Sequence, residues 1–215
     1  MIKRLEISVL AALLFSAVLS VCAMNVESAQ IRESVFRLHI LANSDSEADQ
    51  ALKLKVRDRL LEVSGDLFTH AGSRDEAVAA AEAQLPLLER EAERVLRENG
   101  CADGVTAAVE EAYFTTRTYG DVTLPAGRYT ALRVVIGEGK GHNWWCVMFP
   151  PLCISAVSED EARLDDVLNE QQLDFVEGSP YEPRFKCVEL YEQFKETIER
   201  GREDDSDRSG NGGQR

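Results

Sequence analysis

The alternation of apolar and polar residues predicts a strand followed by two helices. Residues 35–42 alternate strictly between two faces, one of them apolar throughout, which predicts a strand with one buried face. A helix is expected next, because Ser44 and Glu47 fit the S-x-x-E capping box and apolar residues then recur every three or four positions. Ser73 and Glu76 repeat this box before another apolar stripe, which predicts the second helix.

Other residues predict the solvent side of the first helix and the interruption and end of the second. On the first helix, Asp49, Lys53 and Arg57 recur at every fourth residue, and this spacing predicts that they line the side facing solvent. The second helix contains Pro86, which should kink or divide it. Asn99-Gly100 supplies the stop of that helix.

After Gly104 the pattern changes to short alternating or β-branched runs, which are typical of strands. The expected strands are residues 105–109, 114–119, 121–124, 129–136 and 144–149. Past Cys153 the pattern favours two helices, at 158–171 and at 184–200. The second of these has an apolar side formed by Cys187, Leu190, Tyr191, Phe194 and Ile198.

Together these elements predict the α+β class: a single domain with a mainly antiparallel sheet, two helices after the first strand, and C-terminal helices. The expected organisation is a targeting segment at residues 1–23, one α+β domain at residues 30–200 and a tail at 201–215. The tail contains no apolar residue and is expected to be disordered.

The beginning of the chain has the layout of a secretory signal. Lys3 and Arg4 precede an uncharged apolar run from Ile7 to Ala23, and cleavage after Ala23 fits the end of that run. The run is slightly shorter than the roughly 20 residues that span a bilayer. Two outcomes therefore stay open, a cleaved signal peptide or an uncleaved N-terminal membrane anchor. In either case the remainder is predicted to work outside the cytoplasm.

The chain is acidic, with 24 basic residues, 38 acidic residues and a formal net charge of −14. Such a charge repels nucleic acid phosphates and anionic lipid headgroups. No nucleic acid partner is therefore expected, and membrane contact is expected only through the N-terminal segment.

Cysteine chemistry leaves two hypotheses open. A disulfide bond between Cys146 and Cys153 is favoured, because the exported chain permits oxidation and Pro150-Pro151 can turn the chain back between them. The alternative is a secreted thiol-dependent enzyme in which His142 activates Cys146. Zinc motifs and carboxylates in an apolar frame are lacking, so neither a metal, nor another cofactor, nor an enzyme is predicted.

A glycine-rich loop at residues 137–143 joins two predicted strands. It does not match a phosphate-binding loop, because no Ser or Thr follows Lys140 and no helix follows the loop. The sequence favours a flexible connection. The alternative is an extracytoplasmic ligand-binding module whose loop amides surround an anion or a cell-wall fragment.

Two long strings in the sequence resemble the stage II sporulation protein R family. The first comprises residues 42–46 and 49–58, and the second comprises residues 124–127, Tyr129 and residues 131–153. Both are far longer than a short motif, and the resemblance spans roughly residues 31–153.

The resemblance implies a signalling protein of endospore-forming bacteria, not an enzyme. Such a protein is secreted from the forespore into the intermembrane space between forespore and mother cell. There it acts as a protease activator in intercellular signalling. Its partner is a membrane-embedded aspartic protease of the mother-cell membrane, which leads to processing of the mother-cell sigma factor precursor.

Two loop regions are the predicted partner-binding site, because loops held by a rigid sheet often carry recognition and tryptophan dominates binding hot spots. The predicted residues are Asn43, Ser44, Asp45, Lys140, His142, Asn143, Trp144 and Trp145. For the first three, the alternative is that they only cap a helix. Of the two adjacent tryptophans, one can fill the core while the other faces out or meets another layer. The alternative is that both lie in the core.

Overall fold

A computed structural model describes residues 2–69, 71–119, 122–150, 168–169, 172–173, 176 and 183–210. The chain divides into two compact units. The larger contains residues 31–113 and 128–173, and the smaller contains residues 1–30, 114–127 and 174–215.

The helices and strands that are described follow the predicted order. They are α1 (Ile2–Ser34), β1 (Phe36–Leu41), α2 (Glu47–Thr69), α3 (Arg74–Glu98), β2 (Val105–Phe114), β3 (Arg117–Tyr119), β4 (Val122–Leu124), β5 (Gly127–Ile136), β6 (Asn143–Phe149) and α4 (Pro183–Gly210). Of the helix expected at 158–171, only residues 168 and 169 are described.

The larger unit is built on a four-stranded sheet with the strand order β2-β5-β1-β6. The central strand β1 pairs in parallel with β5 and antiparallel with β6. In the smaller unit, β3 and β4 form an antiparallel pair. The α+β prediction with a mainly antiparallel sheet is therefore confirmed.

The main core lies between one face of this sheet and the helices α2 and α3. Alternate residues of the strands meet the apolar stripes of both helices there. The core includes Phe36, Leu38, Ile40, Leu52, Val56, Leu60, Ala81, Leu88, Ala92, Leu132, Val134 and Met148. Each large apolar side chain that is fully buried contributes roughly 1.5–3 kcal/mol. This face consequently fixes the register of the strands and the position of the loops that leave them.

The capping predictions have different outcomes. Ser73 caps α3 as expected, because its side chain accepts a hydrogen bond from the Glu76 amide. For α2 the predicted box of Ser44 and Glu47 is wrong. Ser46 is the capping residue, and its hydroxyl oxygen accepts from the Asp49 amide at 3.1 Å.

The second helix, α3, is a single helix that contains Pro86, so the chain is not divided there. Ala81 and Leu88, on either side of the proline, are buried in the same core, and this shared packing holds both halves in one helix. The predicted stop is confirmed: Asn99 is the C-cap, and Gly100 follows with φ +74°.

The N-terminal helix α1 continues past Ala23 to Ser34. Its stretch from Ile7 to Ser34 is long and apolar enough to cross a membrane, with a mean hydropathy of 2.5 in its most apolar window. This statement depends on length and composition only, and a signal sequence near the N-terminus has the same two properties. A cleaved signal peptide and a membrane anchor therefore both fit α1.

The C-terminal helix α4 differs from the prediction in extent. It runs to Gly210, so the segment expected to be disordered from residue 201 is helical up to that point. The apolar side that the spacing predicts faces solvent, since Leu190 and Phe194 are each 66% exposed. Phe185 and Val188 are buried on the other side.

Candidate functional site

The two strings that resemble a sporulation family lie together at one edge of the four-stranded sheet. Strand β1 ends at Leu41, which pairs with Val135 of β5 on one side and with Asn143 of β6 on the other. The glycine loop, residues 137–143, joins β5 to β6 and must therefore cross the end of β1. There it meets the first loop, residues 42–46, which leaves β1.

Main-chain hydrogen bonds hold the glycine loop along its length. The amide of Gly141 donates to the carbonyl of Ala42 at 2.9 Å, and the amide of Lys140 donates to the carbonyl of Asn43 at 3.1 Å. Gly137 donates to Gly104, and Gly139 donates to Ile136. The expected flexible connection is therefore not what the structure has.

Side chains of the first loop take up the remaining amides. The Asn43 Oδ1 atom accepts from the Glu138 amide at 3.0 Å, and the Asp45 Oδ1 atom accepts from the His142 amide at 2.6 Å. Every amide from residue 137 to residue 142 consequently donates within the protein. The amides that the ligand-binding alternative requires are already engaged.

The close approach of the two loops requires glycine at two positions. A Cβ atom on Gly141 would lie 2.2 Å from the carbonyl oxygen of Ser44. Gly137 has φ +56°, and a Cβ atom there would lie 2.4 Å from Asn43 Oδ1. Gly137 is favoured also by its φ, which L-residues with side chains rarely adopt, whereas at Gly141 the close approach to Ser44 is the reason. Both glycines therefore serve the contact between the loops.

Asp49 of α2 is hydrogen-bonded to two side chains of the first loop. Its Oδ2 atom accepts from the Ser44 hydroxyl at 2.6 Å and from the Asn43 amide group at 3.1 Å. These hydrogen bonds, chiefly that from Ser44, lower the pKa of Asp49. Asn43 and Ser44 therefore position the loops, and the alternative that they only cap a helix does not describe their contacts.

Lys53, one helical turn further along α2, supports the glycine loop. Its side chain is buried, with the residue only 4% exposed. The Nζ atom donates to the His142 carbonyl at 2.8 Å and to Gln50 Oε1 at 2.6 Å. Burial lowers the pKa of this ammonium group.

The next turn of α2 brings Arg57 over Trp144, with the guanidinium carbon 4.4 Å from the ring centroid. Asp49, Lys53 and Arg57 thus contact in turn the first loop, the glycine loop and strand β6. The prediction that these three line the solvent side is wrong. Their four-residue spacing was visible in the sequence, but only the packing of α2 shows which surface they face.

The two tryptophans of β6 lie on opposite faces of the sheet, and both are half-buried. Trp144 packs against the main core. Its buried Nε1 atom has no hydrogen-bond acceptor within the part of the chain that is described. Trp145 stacks on His39, with ring centroids 3.9 Å apart and planes within 9°.

His39 is a further residue of this site that the sequence analysis did not select. It is buried on the second face of the sheet, and its Nε2 atom contacts Asn143 Oδ1 at 2.8 Å. Burial is the main cause that lowers its pKa. The alternation of residues along the first strand places His39 on the same face as Arg37 and Leu41. Its contact with Trp145, however, follows from the pairing of β1 with β6, which the sequence pattern does not give.

The open rim of the two loops consists of exposed side chains. Lys140 and His142 have side chains that are 74% and 78% exposed. Lys140 forms an ion pair with Glu138 at 2.7 Å, and the His142 Nδ1 atom contacts Asp45. Asn143 is also exposed. These four residues, Asp45, Lys140, His142 and Asn143, are called the loop rim below.

Cys146 is disulfide-bonded and buried in the core. Cys22, Cys101 and Cys187 are free thiols. Cys153 lies outside the described residues, so the pairing of Cys146 with Cys153 stays a prediction. A thiol-dependent enzyme would need Cys146 as a free thiol, and in this structure it is not one.

A model of the stage II sporulation protein R family matches residues 32–159. The chain belongs to the stage II sporulation protein R family. The resemblance predicted from the two strings is thereby confirmed. The matched residues contain both loops, both tryptophans, and Asp49, Lys53 and Arg57 of α2.

A curated relative in this family is stage II sporulation protein R of Bacillus subtilis (strain 168). It is 36% identical over 132 residues, which are 61% of this chain and 59% of the relative. The match thus spans less than two thirds of the relative's length. No solved structure matches this chain.

Proposed function

We propose that this protein is an exported signal that activates a membrane-embedded aspartic protease, which then processes the mother-cell sigma factor precursor. Membership of the stage II sporulation protein R family carries the proposal, because the match at residues 32–159 covers the whole candidate site. The role in sporulation follows from the family. The protease, the sigma factor and the location between the two membranes are what we add.

Export is supported by the N-terminal helix. The apolar stretch of α1 begins after the basic residues Lys3 and Arg4 and meets the length and hydropathy of a membrane-crossing or signal segment. Either outcome delivers the following domain to the far side of the forespore membrane. A protease embedded in the opposite membrane would meet it there.

The geometry of the loop rim supports a binding role. Its side chains are exposed, while the backbone beneath them is held by six amide hydrogen bonds and by the buried Lys53. A surface that is already ordered loses less conformational entropy when a partner binds. We therefore assign receptor contact to Asp45, Lys140, His142 and Asn143.

The experiment is co-expression of this protein with the candidate protease and its sigma factor precursor in a host that does not sporulate. Precursor cleavage is expected only when all three are present. Lys140→Glu and His142→Ala should each lower cleavage by about tenfold or more, since about 1.4 kcal/mol of binding energy corresponds to tenfold.

The control is Arg97→Glu, which reverses a charge on an exposed side chain of α3 that pairs with Glu93. It should leave cleavage unchanged. If the wild-type protein causes no cleavage, the proposed function is wrong. If cleavage occurs and both loop-rim variants match the wild type, the function stands and the receptor surface lies elsewhere.

A further inference from the structure

The C-terminal helix α4 presents an apolar stripe to solvent. Its members follow the three- and four-residue spacing of one helix face. They are Cys187, Leu190, Tyr191, Phe194 and Ile198, and all five are exposed. These residues lie beyond the part of the chain that matches the family, residues 32–159.

Between residues 185 and 198, whose side chains are described, the charges of α4 are segregated around this stripe. Glu192 and Glu196 are buried on the opposite side of the helix. Lys186 and Lys195 are exposed, and each lies four residues from a stripe residue, Leu190 and Tyr191, so they border the two edges. Glu189 forms an ion pair with Lys186, and its side chain is mostly buried. In an acidic chain, this surface therefore carries basic edges.

The size of the stripe argues against a second copy of the chain as its occupant. From Cys187 to Ile198 a helix advances by about 17 Å, at about 1.5 Å per residue. One helix face of that length falls short of the roughly 800 Å² that each partner contributes to a standard interface. Binding to a lipid surface does not require an interface of that area.

We propose that α4 lies flat on the surface of an anionic membrane. The stripe enters the boundary between headgroups and acyl chains, and Lys186 and Lys195 reach the lipid phosphates. The net charge of the chain does not prevent this, because charges farther away than a Debye length of about 8–10 Å are largely screened. Since α1 belongs to the same compact unit, α4 would add a second membrane contact to the N-terminal one.

The test uses the full-length chain reconstituted into vesicles, where α1 tethers every variant alike. Cys22→Ser and Cys101→Ser leave Cys187 to be labelled with an environment-sensitive fluorophore, and Cys187→Ser gives the labelling background. The matched control carries the label at Gln193→Cys, an exposed position outside the stripe. Quenching by nitroxide-labelled lipid is measured in phosphatidylglycerol vesicles and in phosphatidylcholine vesicles.

Lipid quenching should be strong at position 187 and weak at position 193 in phosphatidylglycerol. Lys186→Gln and Lys195→Gln should each weaken surface binding by about fivefold in phosphatidylglycerol, and Leu190→Gln with Phe194→Gln should abolish it. Equal quenching at the two labelled positions would overturn the proposal. The proposal would also be overturned if Cys187 cross-linked to Cys187 of another copy with equal yield in both lipids and no lipid quenching were seen. That result would indicate that a second copy of the chain covers the stripe.

Discussion

At Gly141 the carbonyl oxygen of Ser44 leaves no room for a side chain. Gly141→Ala should therefore lower the free energy of unfolding by about 1–3 kcal/mol, as overpacked sites do. Gly104→Ala is the matched control, because a Cβ atom at Gly104 would meet nothing within 4 Å. That change should be neutral or stabilising by up to about 1 kcal/mol. Urea denaturation of both variants measures the difference, and equal stabilities would show that the loops separate without cost.

Asp49 should make stability depend on pH in the acid range. Hydrogen bonds from Ser44 and Asn43 lower its pKa in the folded protein. A carboxylate of this kind stabilises the fold above its unfolded pKa, about 3.9, and loses that contribution as the pH falls through its folded pKa. The unfolding free energy of Asp49→Asn should therefore fall less steeply than that of the wild type below about pH 5.

The control for this pH dependence is Asp58→Asn, whose carboxylate is largely exposed beside Arg57. It should follow the wild-type profile. Denaturant titrations at a series of pH values compare the three proteins. Parallel curves for the wild type and Asp49→Asn would count against Asp49 as the acid-sensitive group.

Among the elements, strand β6 separates the roles of its two tryptophans. Trp144 packs on the main core beneath Arg57, and Trp144→Ala should cost about 3 kcal/mol, the lower end for removing a core tryptophan. Trp145 stacks on His39 next to the loop rim. Trp145→Ala should cost only about 1–2 kcal/mol yet reduce precursor cleavage. Melting curves beside the cleavage assay test this, and a loss of cleavage that merely follows stability in both variants would contradict it.

Helix α2 illustrates how far an element can be predicted. Its apolar stripe at Leu52, Val56 and Leu60 is buried as the spacing predicts. The polar row was assigned to solvent, because i,i+4 charges usually face water. The loops cover that side, however, and Lys53 finds partners there in residues distant along the chain. Periodicity reports which residues share a face, but it does not report what lies opposite that face.

For the whole molecule, the proposed signalling route requires export. Deletion of residues 2–23 removes Lys3, Arg4 and the apolar run, and the protein should then remain in the forespore cytoplasm without supporting sigma factor processing. The check is an immunoblot of the precursor and its product in sporulating cells, with the location of the deleted protein determined by fractionation. Normal processing by a protein confined to the cytoplasm would refute the route. The control is Arg97→Glu in the complete chain, a change at an exposed side chain outside the loop rim. This variant should be localised as the wild type, and the precursor should be processed normally.

The sequence by itself determined the α+β class, the first strand, the α3 cap and stop, and the family. Each depends on residues close together along the chain or on a long string of matched residues. Tertiary structure decided the contacts between Asn43 and the glycine loop, the buried position of Lys53 and the stacking of Trp145 on His39. It also decided that α4 turns its apolar stripe outward. These features join residues that are far apart in sequence, or depend on which helix face meets a partner, and local pattern carries no information about either.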